Sequence, residues 1–417
     1  MKRIFLLIPL LGLLFIGARK YSGEKDFIKE NFSFAGSQLK NMLKETAGKT
    51  NAFPRTTDKN GKLVTTSMYD WTPGFFPGSL WYAYEYTQDT SLKTAATHWT
   101  EQLEPLKNFT AHHDLGFMMY CSYGNAWRLT GNEAYKNILV RSARSLSTRF
   151  NATTGCIKSW NTFKSWHGNK IYNFPVIIDN MMNLEMLFFA SKITGDTSFR
   201  HIAVSHALRT MTNQVRKDYS SYHVVCYDTA TGKVTGRETA QGYADNSTWT
   251  RGQAWGIYGF TMCYRETKDP RFLATAEGMA DYYLKKLNQV TDKVPYWDFN
   301  AGQDGFTPGI NSYAPKVSTK PRDVSAAAIT ASALLELSSY TGKKGAQYQK
   351  AAIQMLHSLA GSTYRATTGS NGNFLLLHSV GSIPHNTEID EPLVYADYYF
   401  LEALVRYNRL LNGQNIL

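Results

Sequence analysis

Cysteine is scarce in this chain. The four present in 417 residues, Cys121, Cys156, Cys226 and Cys263, show neither CxxC nor any other metal-ligand spacing. A chain of this length has enough core to fold without disulfides, so buried free thiols are expected. Acidic residues are also in short supply, 33 against 45 Lys and Arg, a formal net charge of +12. Such an excess attracts anions. The basic residues are dispersed, however, with no run of five, which argues against nucleic acid as a partner. HExxH, GxGxxG, Walker and GxSxG patterns are missing, which disfavours metalloproteases, dinucleotide enzymes, P-loop NTPases and serine hydrolases.

Long hydrophobic runs are missing too, with one exception at the start. Lys2 and Arg3 precede an apolar stretch from Ile4 to Ile16, too short to span a bilayer comfortably, and Gly17-Ala18 offers a small-residue cleavage point. No Cys follows to carry a lipid. This pattern predicts a signal peptide over residues 1–18 and an exported, periplasmic protein, with an uncleaved anchor as the alternative. No stable membrane insertion is expected once the signal is cleaved. Residues 24–417 are then expected to form one domain.

What is plentiful is aromatic: 14% Phe, Trp and Tyr, with 9 Trp and 26 Tyr. Most of these rings are expected in the core. Sugar sites also favour them, because flat rings pack on the apolar faces of pyranoses. A turn recurs between helical stretches: YTQDTSLKTAA from Tyr86, LTGNEAYKNIL from Leu129, ITGDTSFRHIA from Ile193, ETKDPRFLATA from Glu266 and YTGKKGAQYQKAA from Tyr340. Each reads as a helix stop followed by an N-cap. Segments of period 3.6 number about twelve, near residues 25–47, 78–87, 91–107, 115–129, 132–149, 179–193, 197–216, 251–266, 270–287, 324–340, 345–361 and 391–411. Twelve helices in antiparallel pairs predict an all-α fold, a toroid of six hairpins or (α/α)6 barrel. The irregular pieces 48–74, 151–175, 217–250, 288–322 and 366–390 all precede helices of one alternate set and should gather at one end.

Two carboxylates stand out. Asp114, in FTAHHDLGFMMY, is either a plain helix cap or an acid in a site. Asp179, in FPVIIDNMMNLEML, follows three apolar residues, a setting that raises a carboxyl pKa, although a helix N-terminus pulls the other way. Both could face one cavity, as acid/base sugar chemistry requires. The segment TAQGYADNSTWTRGQAWGIYGF brings together Gln241, Trp249, Arg251, Gln253 and Trp255. Arg251 can fork onto a carboxylate, and the tryptophans are stacking platforms or packing rings. His223, in SYHVVCYD, is a core histidine or a site residue. DWTPGFFPGSLW, holding Trp71, is a Pro- and Gly-shaped turn or a sugar platform. Asp323, in PRDVSAAAITASALLEL, reads as a helix cap.

In this order, DWTPGFFPGSLW, HHDLGF, IIDNMMNLEML, STWTRGQAWGIYG, PRDVSAAAI and EPLVYADYYFLEAL resemble glycoside hydrolase family 88, the unsaturated glucuronyl hydrolases, from about residue 65 to the end. The resemblance implies the same barrel and an acidic oligosaccharide substrate whose non-reducing uronate carries a C4=C5 double bond. It implies Asp179 as general acid/base, Asp114 as the second acidic position, and His113, His223, Gln241, Trp249, Arg251 and Trp255 at sugar-binding positions, with Trp71 as a stacking platform. No metal or organic cofactor is implied. The protein is expected as a monomer or homodimer. A Ser-x-x-Ser-x-Lys arrangement carried by members that prefer sulfated fragments is broken here: HSVGSIPHN keeps Ser379 and Ser382 but has Pro384 at the lysine position. Lys316, Lys320 or Arg322 are candidates to replace it. Two rivals share these features, an unsaturated rhamnogalacturonyl hydrolase acting on pectin fragments and a non-catalytic sugar-binding barrel.

Overall fold

The computed structural model describes residues 8–417, with side chains from residue 22 on. The signal peptide expected over residues 1–18 rests on side chains outside those described. Thirteen α-helices are present among the described residues: α1 (Ile8–Glu45), α2 (Phe75–Thr87), α3 (Thr90–Glu101), α4 (Leu115–Met119), α5 (Asn125–Thr130), α6 (Glu133–Ser147), α7 (Leu184–Thr194), α8 (Thr197–Asn213), α9 (Thr250–Thr267), α10 (Pro270–Lys286), α11 (Val324–Ser338), α12 (Gly345–Leu359) and α13 (Val394–Leu411). A π-helical turn, Tyr120–Gly124, joins α4 to α5 as one rod, so the expected twelve helical columns are present. None of the described helices is long and apolar enough to cross a membrane.

The inner ring runs α2, the α4–α5 rod, α7, α9, α11 and α13, and closes where α13 packs back on α2; α1, α3, α6, α8, α10 and α12 stand outside. Side-chain patterning explains the division. Every residue from Val324 to Leu337 in α11 and from Val394 to Tyr407 in α13 is buried. Outer α10 buries one stripe, Phe272, Thr275, Ala276, Met279, Ala280 and Tyr283, at the three- and four-residue spacing of a single helix face.

The recurring turns act as their composition predicts. Asp89, Asn132, Asp196 and Asp269 each accept the N–H two residues ahead, capping α3, α6, α8 and α10. Gly131 and Gly195 end the preceding helices in the left-handed conformation, where Cβ is a liability. The fifth copy differs: a 3-10 turn, Gly342–Lys344, leads into α12, whose N-cap makes no side-chain bond.

The long irregular segments meet at one end of the barrel. They form short hairpins, among them Phe53–Thr57 with Leu63–Thr66, Phe163–Lys164 with Ile171–Tyr172, and Ser379–Ser382 with Thr387–Glu391. A three-stranded sheet pairs Pro175–Ile177 with Val224–Tyr227, and the latter with Val234–Glu238. Trp166 ties several loops together: its indole N–H donates to the Ala240 carbonyl at 3.1 Å, its own carbonyl accepts Asn311 N–H at 3.0 Å, and its ring meets His385 edge-on.

Candidate active site

Asp179 does not open an α-helix as the period suggested. It lies in a 3-10 turn, Ile178–Asn183, that joins a strand to α7. The strand pairing sets Ile177 opposite Val224, and Ile178 N–H donates to the His223 carbonyl at 3.1 Å, so the His223 side chain comes to lie beside Asp179. Asp114 stands at the N-cap position of α4 but makes no capping bond. Its carboxylate is turned instead to the histidines before it, Oδ2 lying 3.0 Å from His112 Nδ1 and Oδ1 3.3 Å from His113 Nε2. The plain-cap reading of Asp114 therefore fails.

Asn183 locks the two segments together. Its Oδ1 accepts Phe117 N–H at 3.1 Å, and its amide nitrogen lies 3.4 Å from His113 Nδ1. Gly116 is required at this crossing, since a Cβ there would overlap the Cα of Asn183. Each carboxylate retains 11% side-chain exposure, so both are desolvated without being sealed.

The electrostatics of the two acids diverge. Burial pushes Asp179 up to about 7; Arg251 opposes this and the charge of Asp114 adds to it. Burial also acts to raise Asp114, but His113 and His112 outweigh it and hold that carboxyl below its ordinary value. Burial drives His113 down to about 4 and His223 well below the usual histidine range, so both rings are neutral at pH 7. The tautomer of His223 is fixed: Nδ1 accepts the N–H groups of Ala240 and Gln241, each at 3.2 Å, leaving the proton on Nε2. That nitrogen faces Asp179 Oδ2 across 3.7 Å, too far for a direct bond. Neither atom has a hydrogen-bond partner among the described residues, and the same holds for Trp249 Nε1, Ser379 Oγ and Tyr395 OH. Buried polar atoms rarely stay unpaired, so Asp179 Oδ2, His223 Nε2 and the indole N–H of Trp249 beside that histidine mark a site for a polar ligand.

A cavity of ≈ 610 Å³ is lined by Trp71, Trp160, Lys164, Trp166, Gln241, Ser382, His385, Tyr395 and others; Asp114, Asp179 and His223 lie behind this lining rather than in it. Gln241 connects the two levels: its backbone bonds His223, and its Nε2 donates to the Gly381 carbonyl at 3.1 Å. Trp71 supplies one wall and packs on Phe75, Phe117 and Tyr395. Trp249 packs against His223, with ring centroids 4.3 Å apart and the planes tilted by 31°.

Three expected sugar-binding residues sit deeper than a platform would. Trp255 is fully buried, wedged between Phe117 and Tyr399. Ser379 is buried behind the cavity wall, whereas Ser382 lines the cavity. Arg251, expected to fork onto a carboxylate of the substrate, is 1% exposed. Its Nη1 donates to Asp323 at 2.9 Å and to the Val380 carbonyl, and its Nη2 to the Gly381 carbonyl at 2.7 Å. The guanidinium thus braces the hairpin that forms the cavity wall. Asp323 caps α11 through Ser325, as its sequence predicted, and holds Arg251 as well. Of the cations proposed to replace the missing lysine, Lys316, Lys320 and Arg322 do not line the cavity; Arg322 donates to the Val294 carbonyl at 2.6 Å.

Sequence reasoning did not single out His112, Tyr395, Trp166, Lys164 or His385. His112 and Tyr395 lay inside recognisable motifs, so their signal was present; the cavity residues of the loops carried none. All four cysteines are free and buried. Among the described residues, no group of three or more His, Cys, Asp or Glu is arranged to hold a metal ion.

A closed double ring of helices with two electrostatically divergent carboxylates under an aromatic-walled cavity defines a glycosidase of the (α/α)6-barrel class. Residues 44–409 match Glycosyl Hydrolase Family 88, and the chain belongs to that family. It is 44% identical to an unsaturated glucuronyl hydrolase of Formosa agariphila, over 99% of this chain and 100% of that one. A solved unsaturated glucuronyl hydrolase specific for heparin superposes with a TM-score of 0.84 at 44% identity, covering 92% of this chain and 98% of the other. The enzyme of Bacillus sp. GL1 superposes with a TM-score of 0.82 at 32% identity, over 92% and 97%.

Proposed function

We propose that this chain is an unsaturated glucuronyl hydrolase that removes the 4,5-unsaturated uronate from the non-reducing end of lyase-generated, glycosaminoglycan-type oligosaccharides. The observation carrying this reading is Asp179, a buried carboxyl held at about 7, with one oxygen unpartnered and facing the N–H of a neutral histidine. A carboxyl so tuned is protonated often enough near neutrality to donate, and its conjugate base then accepts a proton.

In the proposed reaction Asp179 donates its proton to C4 of the enol ether, and the charge that develops at C5 is shared with the ring oxygen. Water adds at C5 and gives a proton to the Asp179 carboxylate, which ends as it began. The resulting hemiketal opens to a ketone at C5, leaving a hemiacetal at C1 that collapses to the aldehyde and releases the remaining sugar. The glycosidic carbon is never attacked by the enzyme. Arg251 favours the carboxylate left by proton transfer, and the unpaired N–H of His223 faces the same carboxyl across 3.7 Å.

The test is loss of the ultraviolet absorbance of the conjugated enol ether, measured with unsaturated disaccharides from heparin, chondroitin, hyaluronan and pectin lyases. Heparin fragments head the panel because the 44%-identical solved enzyme is specific for heparin. Wild type should remove the band, and Asp179→Asn should lose on the order of 100- to 10,000-fold in turnover. Turnover retained by Asp179→Asn removes Asp179 as donor. Activity confined to the pectin disaccharide moves the enzyme to the rhamnogalacturonyl reaction, and binding without any loss of absorbance leaves a sugar-binding barrel.

Lys2, Arg3, the Ile4–Ile16 run and Gly17-Ala18 support export to the periplasm. Mass measurement of the mature N-terminus tests this, and an intact Met1 on a soluble cytoplasmic product overturns it.

A further inference from the structure

The outer wall of the barrel carries a hollow of its own, ≈ 720 Å³, between α10 and the turn that follows α8. Tyr219, Tyr282, Lys285 and Lys286 line it with Asp218 and Asp281, and none of these residues lines the cavity walled by Trp71 and Trp166. Tyr219 is 42% exposed, and its backbone holds φ +64°, a left-handed conformation that a ring-bearing residue seldom adopts. The conformation is fixed from beneath: Tyr219 N–H donates to the Arg216 carbonyl at 2.9 Å, and the Tyr219 carbonyl accepts Gln253 Nε2 at 2.8 Å. Gln253 is fully buried in α9. Its Oε1 accepts the Ser221 hydroxyl at 2.9 Å and its Nε2 also donates to the Met279 carbonyl at 3.1 Å, which ties the turn to α9 and α10. The ring lies on Gly278, where a Cβ would come within 2.3 Å of it. Glycine inside a helix costs about 1 kcal/mol against alanine; here it seats a ring that stays partly open to solvent.

The charges around this ring are unequal. Asp281 is already engaged, with Oδ2 3.0 Å from Lys344 Nζ and Oδ1 accepting the Tyr348 hydroxyl at 2.7 Å. Asp218 accepts both the N–H and the hydroxyl of Ser220 on one oxygen, which leaves the other for a donor. Lys285 and Lys286 have no acid partner among the described residues, and Lys286 Nζ stands 5.4 Å from the centre of the Tyr282 ring. Both lysines lie in the last turn of α10, where cations suit the helix dipole. That preference accounts for the lysines but not for an exposed ring seated on a glycine beside them.

An exposed aromatic ring, a carboxylate oxygen with a free position and two uncompensated ammonium groups match the parts of an acidic sugar: an apolar face, hydroxyls and an anionic substituent. A bare polyanion would use the lysines and not the ring, and an apolar partner the reverse. We propose that this hollow is a binding site for acidic glycan chains, separate from the cavity beside Asp179, that holds the polymer on the outside of the barrel. Binding there needs no turnover, so the inference stands apart from the reaction proposed above.

The experiment measures Kd at fixed salt for heparin, as an acidic glycan, and for inorganic polyphosphate, as an anion without sugar rings. It uses the full chain as wild type, Tyr219→Ala, Tyr219→Phe, the double variant Lys285→Met/Lys286→Met, and the charge control Lys192→Met/Lys233→Met, which removes two exposed lysines elsewhere. Tyr219→Ala should weaken heparin about fivefold, as loss of one stacking ring implies, and Tyr219→Phe should bind as wild type. Polyphosphate should not respond to either change at Tyr219. The Lys285/Lys286 variant should weaken heparin about tenfold, and the charge control should stay within about twofold of wild type. Turnover of an unsaturated disaccharide should be the same in all of them. Heparin affinity unmoved by Tyr219→Ala, or lowered as much by the charge control as by Lys285→Met/Lys286→Met, overturns the assignment. Heparin affinity and disaccharide turnover lost together would place the polymer in the cavity beside Asp179, and overturns it as well. Should Tyr219→Ala fail to fold, the two lysine variants decide.

Discussion

The proposed reaction depends on keeping two nearby carboxylates in different states. Asp114 stays ionised because His112 and His113 favour its charge, and that charge helps to hold Asp179 up near 7. The sign of the pH dependence follows. If Asp179 is the donor it must be protonated, so kcat/KM should fall as pH rises through about 7. Asp114→Asn removes the negative neighbour, which lowers the pKa of Asp179 and moves this alkaline limb to lower pH, whatever activity remains. A pH profile of the variant with its limb unmoved would show that Asp114 does not tune the donor. Both acids stand out in the sequence through their neighbourhoods, IIDNMM and HHDLGF, and the fold brings them close enough for the charge of Asp114 to act on Asp179. The role of Arg251 was not legible there, because its partners lie 72 to 130 positions away and no local pattern encodes them. An arginine among tryptophans looks the same whether it meets a ligand or a buried carbonyl.

At the level of elements, the acids are brought together by a close crossing of α4 over the 3-10 turn, and Gly116 is what permits it. Gly116→Ala should destabilise the fold by roughly 1–3 kcal/mol, the usual cost of overpacking, and should lower kcat more than stability alone explains, since any relief separates Asp114 from Asp179. Thermal denaturation and kinetics on one preparation check both halves; an unperturbed kcat would mean the crossing does not set the acid pair. Helix positions were readable because capping and period are local signals, and Asp89, Asn132, Asp196 and Asp269 cap where the turn motif placed them. The departures occur where tertiary packing overrides period. The turn at Ile178–Asn183 is 3-10, and Tyr120–Gly124 winds as a π-helix, in segments whose sequence reads as ordinary helix.

Across the whole molecule, the order of alternating helices was enough to predict the barrel, because six inner helices apolar on every side bury themselves only by packing on one another and on an outer partner each. Which loop residues would meet over its mouth was not predictable, since Trp166, Gln241, Asn311 and His385 come from four separate segments with no shared pattern. The formal charge of +12 has its own consequence for an anionic substrate. Long-range attraction raises encounter rates and is screened by salt, so kcat/KM should fall as ionic strength rises from about 10 to 300 mM while kcat changes little. Salt-insensitive kcat/KM would assign the charge to another purpose.

The barrel also contains a second, inner cavity of ≈ 310 Å³ on the far side of the aromatic layer. Phe117 and Tyr399 line it, while Trp71 and Tyr395 face the outer cavity, and Phe75 and Trp255 fill the space between them. Arg265 and Arg406 in that inner chamber are neutralised by Glu185, Glu336 and Glu402. The rings therefore act as a bulkhead. A polymer cannot be threaded through the ring of helices, so only a chain tip fits, and the freed monosaccharide must back out by the door through which it entered before another tip can take its place.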